Sequence, residues 1–231
     1  MVGTIVNVAA IILGAAIGLF FGKAFPERLR NILIQAIGLS ILIIGLQMAL
    51  KTNNILIMIL SMVLGGLIGE AIGIEAGLNR LGEFFEKKIS SRGNDQFSKA
   101  FVTTSLIYCV GAMAVVGALE DGLNGNHSIL FAKAALDGIT AIVFSSSMGI
   151  GVAASAFPVL IYQGCIALFA GLLQGVLSDT IILEMSAVGG LLIFGIGITM
   201  LGMKEIRVGN LLPAIIFVIP FVILFQYLGI Y

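Results

Sequence analysis

Long apolar segments separated by short polar interruptions make up most of the chain. Dividing the sequence at those interruptions gives eight segments near the ~20 apolar residues that an α-helix needs to cross a bilayer. We number them spans 1 to 8, and they cover residues 2–22, 32–50, 55–74, 101–119, 129–148, 149–177, 185–203 and 211–231. Span 5 contains charges and serines, so it either crosses fully or is broken. The pattern predicts an all-α polytopic membrane protein with about eight transmembrane helices.

The composition agrees with this pattern. Of 231 residues, 59% are hydrophobic and 10% are charged, and the mean hydropathy is +1.16. Soluble domains carry about a quarter charged residues, so this chain has too little polar surface to cover a soluble core. A water-soluble enzyme or DNA-binding protein is therefore excluded, and the zero net charge predicts no nucleic-acid partner.

Most of the charge lies between spans 3 and 4, in residues 75–98. Apolar residues recur there at helical spacing, at Leu78, Leu81, Phe84, Phe85 and Ile89. Apolar residues on one face and charges on the other predict an interfacial amphipathic helix on the cytoplasmic side.

The basic residues predict the orientation in the membrane. With eight spans and an outside amino terminus, ten of the 12 lysines and arginines fall on one side. Lys51 lies on the opposite side, and Lys133 lies within a span. Cytoplasmic loops carry an excess of basic residues, so both termini are predicted to lie outside.

The two ends of the chain resemble each other. Gly38 and Gly45 of span 2 align with Gly190 and Gly197 of span 7 at an offset of 152, and small residues of spans 1 and 6 align at 153. Equivalent spans of the two halves are five apart in the order of spans, so they cross the membrane in opposite directions. This predicts an inverted repeat of spans 1–3 and 6–8, with spans 4–5 between them. Within one transmembrane domain, we therefore predict a first three-helix repeat (1–74), a cytoplasmic amphipathic segment (75–98), a central helix pair (99–148) and a second three-helix repeat (149–231). Secondary transporters often have such repeats, with a site near the midplane, although chance matches are also common among Gly/Ile/Leu-rich helices.

Lys133 and Asp137 in span 5 are the most informative polar pair. A charge near the bilayer centre costs roughly 2.5–3.5 kcal/mol, and residues four apart share one helix face. The pair predicts a polar pathway, and the alternative is a snorkelling lysine near the outer interface with a local ion pair.

Six other residues are predicted to bind the substrate or ion. Glu120 and Asp121 lie either at an outer mouth or in a solvated loop, and the others are Gln163, Tyr108, Ser145 and Ser146. Further polar residues of the spans are Asn7, Gln35, Gln47, Glu70 and Thr199.

Other chemistry has little support in the sequence. There is one histidine, and no HExxH, GxSxG or P-loop motif is present, so we expect no catalytic activity, no metal and no cofactor. Small residues four apart, at 14, 18 and 22 and at 65, 69 and 73, predict close helix packing, either within one bundle or in a homodimer.

The segment from Tyr108 to Gly164, with motifs such as Glu120-Asp121-Gly122-Leu123 and Asp137-Gly138, resembles a bacterial inner-membrane family known as domain of unknown function 554, and the resemblance covers nearly the whole chain. The resemblance is most specific at Gly111-Ala112-Met113-Ala114, Glu120-Asp121-Gly122-Leu123, Lys133, Asp137-Gly138, Gly149-Ile150-Gly151-Val152 and Gln163-Gly164. It implies a location in the cytoplasmic membrane and brings no established activity. Where the family usually has proline and serine, this chain has Ala112 and Ala134, so a proline kink and a hydroxyl ligand are not expected at those positions.

The leading hypothesis is a small transporter or channel for a small polar solute or ion, with a small anion as one option. Lys133 would supply a positive charge to an anionic group, and Asp137 would be its counter-ion or a protonatable gate. The alternative is a non-transporting membrane scaffold or assembly partner that uses the glycine rows and the basic loop from Arg80 to Lys99.

Overall fold

The computed structural model describes residues 1–22, 26–77, 80, 95–173 and 175–229, and these residues form helices and the segments that connect them, with no strand among them. The helices are α1 (Val2–Gly22), α2 (Glu27–Ala49), α3 (Ile55–Ile72), α4 (Asp95–Cys109), α5 (Ala112–Leu123), α6 (Ser128–Met148), α7 (Gly151–Ala154), α8 (Ala156–Leu168), α9 (Ala170–Leu173), α10 (Asp179–Met200), α11 (Val208–Leu211) and α12 (Pro213–Tyr227).

Six segments of the described chain are long and apolar enough to cross a membrane. They are α1, α3, α6, α10, the run Gly151–Leu168 and the run Val208–Tyr227. The bent pair α4–α5 makes a seventh when it is counted as one span, whereas the apolar part of α2, Ile34–Ala49, is shorter. The all-α polytopic prediction is confirmed with six to seven candidate spans, and the count of eight stays a prediction.

Large apolar side chains cover the outside of these helices. Leu13 and Phe20 on α1 and Leu67 and Ile72 on α3 are each more than half exposed. On a soluble protein, such extended apolar surfaces mark interaction or aggregation sites. In a bilayer they face lipid, which is the environment that the composition requires.

Span 4 was predicted as one helix, and the structure divides it. The segments Phe97–Cys109 and Met113–Leu123 meet at an angle of 61°. Gly111 lies at the break with a φ of 139°, a conformation that glycine adopts without the steric cost of a Cβ. The chain therefore bends at a glycine and not at a proline, because Ala112 occupies the position where the family usually has proline.

Span 5 is continuous, because α6 runs unbroken from Ser128 to Met148 and ends at Gly149, which has a φ of 87°. Span 6 is also divided, into α7, α8 and α9, with turns at Ser155 and Phe169. Glu120 and Asp121 were expected in a loop, but α5 continues to Leu123 and includes both.

Span 7 begins earlier than predicted. Its helix α10 starts at Asp179, where the Ser178 hydroxyl accepts a hydrogen bond from the N–H of Ile181. Such N-terminal caps stabilise the first turn of a helix. Glu184, which lies just before the predicted start of span 7, is inside α10 and fully buried.

The chain forms two compact units. Unit 1 consists of Met1–Ile37 and Asn79–Gln174, and unit 2 consists of Gly38–Leu78 and Gly175–Tyr231. The predicted segments 1–74, 75–98, 99–148 and 149–231 stay a prediction. The predicted amphipathic helix falls largely on residues 78–79 and 81–94, which lie outside the described residues.

In unit 1, the glycine row of α1 packs against α6. A Cβ on Gly14 would meet the carbonyl oxygen of Gly138, and one on Gly18 would meet that of Ile142. A Cβ on Gly22 would lie 2.6 Å from the carbonyl oxygen of Ser146. The contacts advance together along both helices, so α1 and α6 run parallel with their backbones in close approach.

The bent pair α4–α5 runs the length of unit 1. At one end, a Cβ on Gly151, just past the end of α6, would meet the backbone oxygen of Phe97. At the other end, Asp121 lies 3.0 Å from the amino group of Met1, at the start of α1. Because α1 and α6 are parallel, these contacts lie at opposite ends of the unit.

In unit 2, α2 and α10 pack in antiparallel fashion through glycines. Gly38 contacts Leu201, and Gly190 contacts Ala49. The contacting stretches are therefore 38–49 and 190–201, which differ by the offset of 152 found in the sequence. Packing of two repeats about a pseudo-two-fold axis requires such a match, and the inverted repeat itself stays a prediction.

A buried carboxylate holds one end of unit 2. Glu184 accepts hydrogen bonds from the hydroxyl of Thr52 at 2.5 Å and from the backbone N–H groups of Asn53 at 2.7 Å and Asn54 at 3.2 Å. Asn54 in turn caps α3 by accepting from the N–H of Leu56. Glu184 therefore fixes the tight turn between α2 and α3.

Two further carboxylates hold the other end of unit 2. Glu70 accepts from Arg207 at 2.8 Å and from the side-chain amide of Asn210 at 2.6 Å. Glu75 accepts from the N–H of Gly209 at 3.0 Å. Burial raises the pKa of Glu75, and the hydrogen bonds from the backbone at Gly209 and Asn210 partly offset that rise.

Substituting Gly18 tests the packing of α1 against α6. Gly18→Ala is expected to destabilise the fold by roughly 1–3 kcal/mol, because the added methyl group meets Ser145 Oγ and the backbone carbonyl of Ile142. The midpoint of thermal unfolding in detergent should fall. Gly171→Ala is the matched control, since its Cβ would meet nothing within 4 Å. Equal midpoints for the two variants would contradict the close approach.

Substituting Glu184 tests the turn between α2 and α3. Glu184→Met keeps the length of the side chain but leaves the N–H groups of Asn53 and Asn54 without an acceptor, which should cost about 1–3 kcal/mol per group. Unfolding should begin at a lower temperature than in Glu205→Met, which changes an exposed glutamate. A Glu184→Met protein as stable as that control would disprove the role of the carboxylate.

Candidate functional site

An ion pair lies at membrane depth in α6. Lys133 Nζ is 3.0 Å from Asp137 Oδ1 and 2.8 Å from Asp137 Oδ2, and both side chains are about one-tenth exposed. At 1.5 Å per residue, Asp137 lies about 14 Å from the start of a helix about 30 Å long. The lysine amine binds one turn further into the span, so Lys133 does not snorkel toward the nearer end of the helix.

Two amides complete this buried group. The side-chain nitrogen of Asn7 on α1 donates to Asp137 Oδ2 at 3.0 Å and to the side-chain oxygen of Gln163 on α8 at 3.3 Å. Both amide side chains are fully buried. Lys133, Asp137, Asn7 and Gln163 come from three helices of unit 1, and we call them the central cluster.

The packing of α1 on α6 places Asn7 opposite Asp137. Gly138 lets α1 approach closely, since a Cβ there would lie 3.3 Å from the Cβ of Ala10. Asn7 lies three residues before Ala10 and therefore on the same face of α1. A small residue next to the aspartate thus brings the asparagine within hydrogen-bonding distance.

The hydrogen bonds fix the orientation of both amides. An ionised carboxylate only accepts hydrogen bonds, so Asn7 must direct its NH₂ group toward Asp137. Gln163 must then direct its oxygen toward that NH₂ group. This leaves Asn7 Oδ1, an acceptor, and Gln163 Nε2, a donor, buried and without a partner among the described residues.

Unpartnered buried polar atoms are costly, and few occur in native structures. Here a free acceptor and a free donor lie on neighbouring side chains beside an ion pair with no net charge. The arrangement suits a small polar molecule or ion, or the water that replaces it. In the described part of the chain, no group of three or more His, Cys, Asp and Glu side chains is placed to hold a metal ion.

A second polar group lies at the start of α1. Asp121 is 3.0 Å from the Met1 amino group and 2.5 Å from His127 Nδ1, and it accepts from the N–H of Thr4 at 3.4 Å. We call Met1, Thr4, Asp121 and His127 the terminal cluster. Thr4 is fully buried, its hydroxyl has no partner among the described residues, and it lies one turn before Asn7 on α1.

The remaining predicted binding residues lie outside the central cluster. Ser145 donates to the carbonyl of Ala15 on α1 at 3.0 Å, and Ser146 donates to the carbonyl of Val143 at 2.7 Å. Glu120 accepts from Asn124 at 3.0 Å. These three side chains thus make local or helix-to-helix hydrogen bonds.

Tyr108 is fully buried on α4, with its ring centroid 6.4 Å from that of Phe144. Its hydroxyl has no hydrogen-bond partner among the described residues and lies in the electrostatic environment of Asp137. The structure therefore brings Lys133, Asp137 and Gln163 together, with Tyr108 at the edge of the group.

Sequence reasoning named Asn7 among the polar candidates of the spans without predicting it as a binding residue, and it did not single out Thr4. Asn7 is a lone amide in an otherwise apolar part of span 1, and that isolation was the available signal. Its contact with Asp137 depends on which helices are neighbours, and residues 130 positions apart give no such information by spacing.

Comparisons with known proteins identify the family to which the chain belongs. The sequence model of the family described as "Protein of unknown function (DUF554)" matches residues 2–223. The chain is 34% identical over 229 residues to the "Uncharacterized membrane protein YdfK" of Bacillus subtilis (strain 168), covering 97% of this chain and 96% of that protein. It is 33% identical over 224 residues to the "Uncharacterized protein YqgA" of Escherichia coli (strain K12), covering 95% of each. No solved structure matches the chain. The protein is thus a membrane protein that belongs to the DUF554 family.

Proposed function

We propose that the protein is a small transporter or channel that moves a small polar solute or ion through unit 1, past the central cluster. The observation that carries this proposal is the ion pair of Lys133 and Asp137 at membrane depth. Asn7 donates to Asp137 and to Gln163, and these two amides keep a free acceptor and a free donor.

The energetics support a functional role for the cluster. Each charge near the bilayer centre costs roughly 2.5–3.5 kcal/mol on insertion scales. Apolar residues of similar volume often replace a buried ion pair without loss of stability, so such a pair is weak support for a structural role. Intramembrane ionisable residues that face a protein interior typically mark ion or substrate pathways.

The broken helices of unit 1 also support transport. The backbone is irregular at Gly111, where α4 and α5 meet at 61°, and it turns at Ser155 between α7 and α8. Irregular backbone at membrane depth is tolerated only where protein or a water-filled cavity covers it. Discontinuous helices form the substrate sites of many secondary transporters, and no enzymatic activity is part of this proposal.

We place the protein in the cytoplasmic membrane with both termini outside. Within unit 1, the parallel course of α1 and α6 agrees with spans 1 and 5 crossing in the same direction. Within unit 2, the antiparallel course of α2 and α10 agrees with spans 2 and 7 crossing in opposite directions. In this orientation the end of unit 2 that contains Glu184 is external, and the end that contains Arg207 is cytoplasmic.

The scaffold alternative receives less support from the glycine rows. Gly14 and Gly18 contact α6, and Gly65 and Gly69 contact residues Ala214 and Asn210 of the same unit. These faces are occupied within the chain, so a homodimer or partner would use other surfaces of the protein.

Uptake into proteoliposomes tests the proposed function. The panel contains chloride, nitrate, phosphate, lactate, urea and glycerol, and at least one is expected to enter faster than into protein-free vesicles. Lys133→Met should slow that uptake at least about tenfold, because it leaves the Asp137 charge buried without its partner. Asp137→Asn should change the rate and its pH dependence.

The control is Ser61→Ala, which removes a buried hydroxyl from unit 2 and should retain the uptake rate of the native protein. The proposal fails if none of the solutes enters faster than into empty vesicles. It also fails if Lys133→Met and Asp137→Asn both keep the full rate.

Labelling of single cysteines tests the orientation. In a background without Cys109 and Cys165, Lys51→Cys should react with a membrane-impermeant maleimide applied to intact cells. Lys204→Cys should react only after the membrane is permeabilised, because that turn is cytoplasmic in the proposed orientation. The reverse pattern would place both termini inside.

A further inference from the structure

The central cluster also indicates what it binds, if the proposed function holds. We propose that it binds one proton together with one small monovalent anion. Asp137 accepts the proton, Lys133 faces the anion, and the side-chain amides of Asn7 and Gln163 reverse their orientation when the proton binds.

Charge balance links the two ligands. Lys133 and Asp137 together have no net charge, and their side chains are about nine-tenths buried. An anion alone would leave one buried negative charge, and a proton alone would leave one buried positive charge. Either state is costly in a low-dielectric interior. When both bind, the cluster is neutral again, so each ligand strongly favours binding of the other.

The hydrogen bonds change with the proton. While Asp137 is ionised, Asn7 donates to Asp137 Oδ2 and to the oxygen of Gln163. When a proton from the aqueous phase binds Oδ2, that oxygen becomes a donor. The amide of Asn7 must then rotate by half a turn to present its oxygen, and Gln163 must rotate to present its nitrogen. No other bond forms or breaks, and the proton returns to the water when Asp137 ionises again.

When the two amides reverse, different atoms of Asn7 and Gln163 are left without a hydrogen-bond partner. In the ionised state, the free atoms are the Asn7 oxygen and the Gln163 nitrogen. In the protonated state, they are the Asn7 nitrogen and the Gln163 oxygen. Asn7 then offers a free donor near Lys133, since both side chains contact Asp137 Oδ2. The free donor of Asn7 and the uncompensated positive charge of Lys133 favour an anion, and both appear only after the proton has bound.

Lys133 supplies the charge that balances ionised Asp137, because the other titratable groups near Asp137 are uncharged or paired elsewhere. Tyr108 and Cys109 on α4 interact electrostatically with Asp137, and Tyr162 on α8 interacts with Cys109. Phenols and thiols are uncharged over most of the physiological pH range. α1 and α8 present the amides Asn7 and Gln163, and α5 contributes the more distant Glu120 and Asp121. Asp121 is paired with His127 and the Met1 amino group in the terminal cluster.

Calorimetric titration of the purified full-length protein tests the inference. Chloride, nitrate, phosphate and lactate are titrated in two buffers of different ionisation enthalpy, which gives the number of protons taken up per anion bound. One proton per anion is expected for at least one of the four, at a pH where Asp137 is ionised in the free protein. The apparent affinity should fall about tenfold for each unit of pH in that range.

Three variants separate the parts of the proposal. Asp137→Asn should bind the same anion without proton uptake and without pH dependence, because the amide is neutral and Lys133 stays uncompensated. Asn7→Leu should weaken binding at least tenfold, because it cannot reverse its hydrogen bonds. Ser61→Ala should behave as the native protein, with one proton per anion.

A spectroscopic measurement gives a readout independent of affinity. Anion addition should produce the infrared carbonyl band of a protonated carboxylic acid in the native protein and not in Asp137→Asn. Binding without proton uptake, or no binding of any of the four anions, overturns the inference. Uptake of urea or glycerol in the vesicle assay would then leave the proposed transport function intact, so the two proposals fail separately.

Discussion

The cost of a polar group in hydrocarbon determines how this chain is built. Backbone groups at membrane depth find their partners inside helices, which explains why the described residues contain no strand. Charged side chains have the same need, and each charge in the spans requires a partner from another turn or helix. Lys133 finds Asp137 one turn away, and Asp137 also needs Asn7, which lies on α1. The polar contacts therefore depend on which helices can approach closely.

Close approach comes from glycine at a few positions. The row at Gly14, Gly18 and Gly22 brings α1 onto α6, and Gly138 keeps the contact close beside Asp137. A methyl group at these positions would meet backbone carbonyl oxygens, which cannot move without moving the helix. Apolar burial gives little preference between neighbours in lipid, because the tails are as apolar as leucine. Packing of small residues therefore selects α1 as the partner of α6, and the central cluster follows from that choice.

The sequence predicted the helices better than their interruptions or their neighbours. Length and hydropathy are local properties, so spans 1, 3, 5 and 8 could be located from runs of apolar residues. The bend at Gly111 depends on one φ angle, and many glycines in these spans lie in straight helix. Burial of Glu184 depends on the turn at Thr52, which lies 132 positions away. Lys133, Asp137 and Gln163 could be named because polar residues are rare in the spans, but the contact of Asn7 with Asp137 required the packing.

The buried carboxylates Glu184 and Asp137 differ in their hydrogen bonding, and that difference bears on function. In unit 2, the fully buried Glu184 accepts three hydrogen bonds from one turn. Such a carboxylate holds a helix end in place and leaves little capacity for a ligand. In unit 1, Asn7, which contacts Asp137, its neighbour Gln163 and Thr4 on the preceding turn of α1 keep unpartnered polar atoms. A structural role is served best when every buried polar atom is satisfied. The incomplete bonding of the central cluster therefore favours a site that a ligand completes.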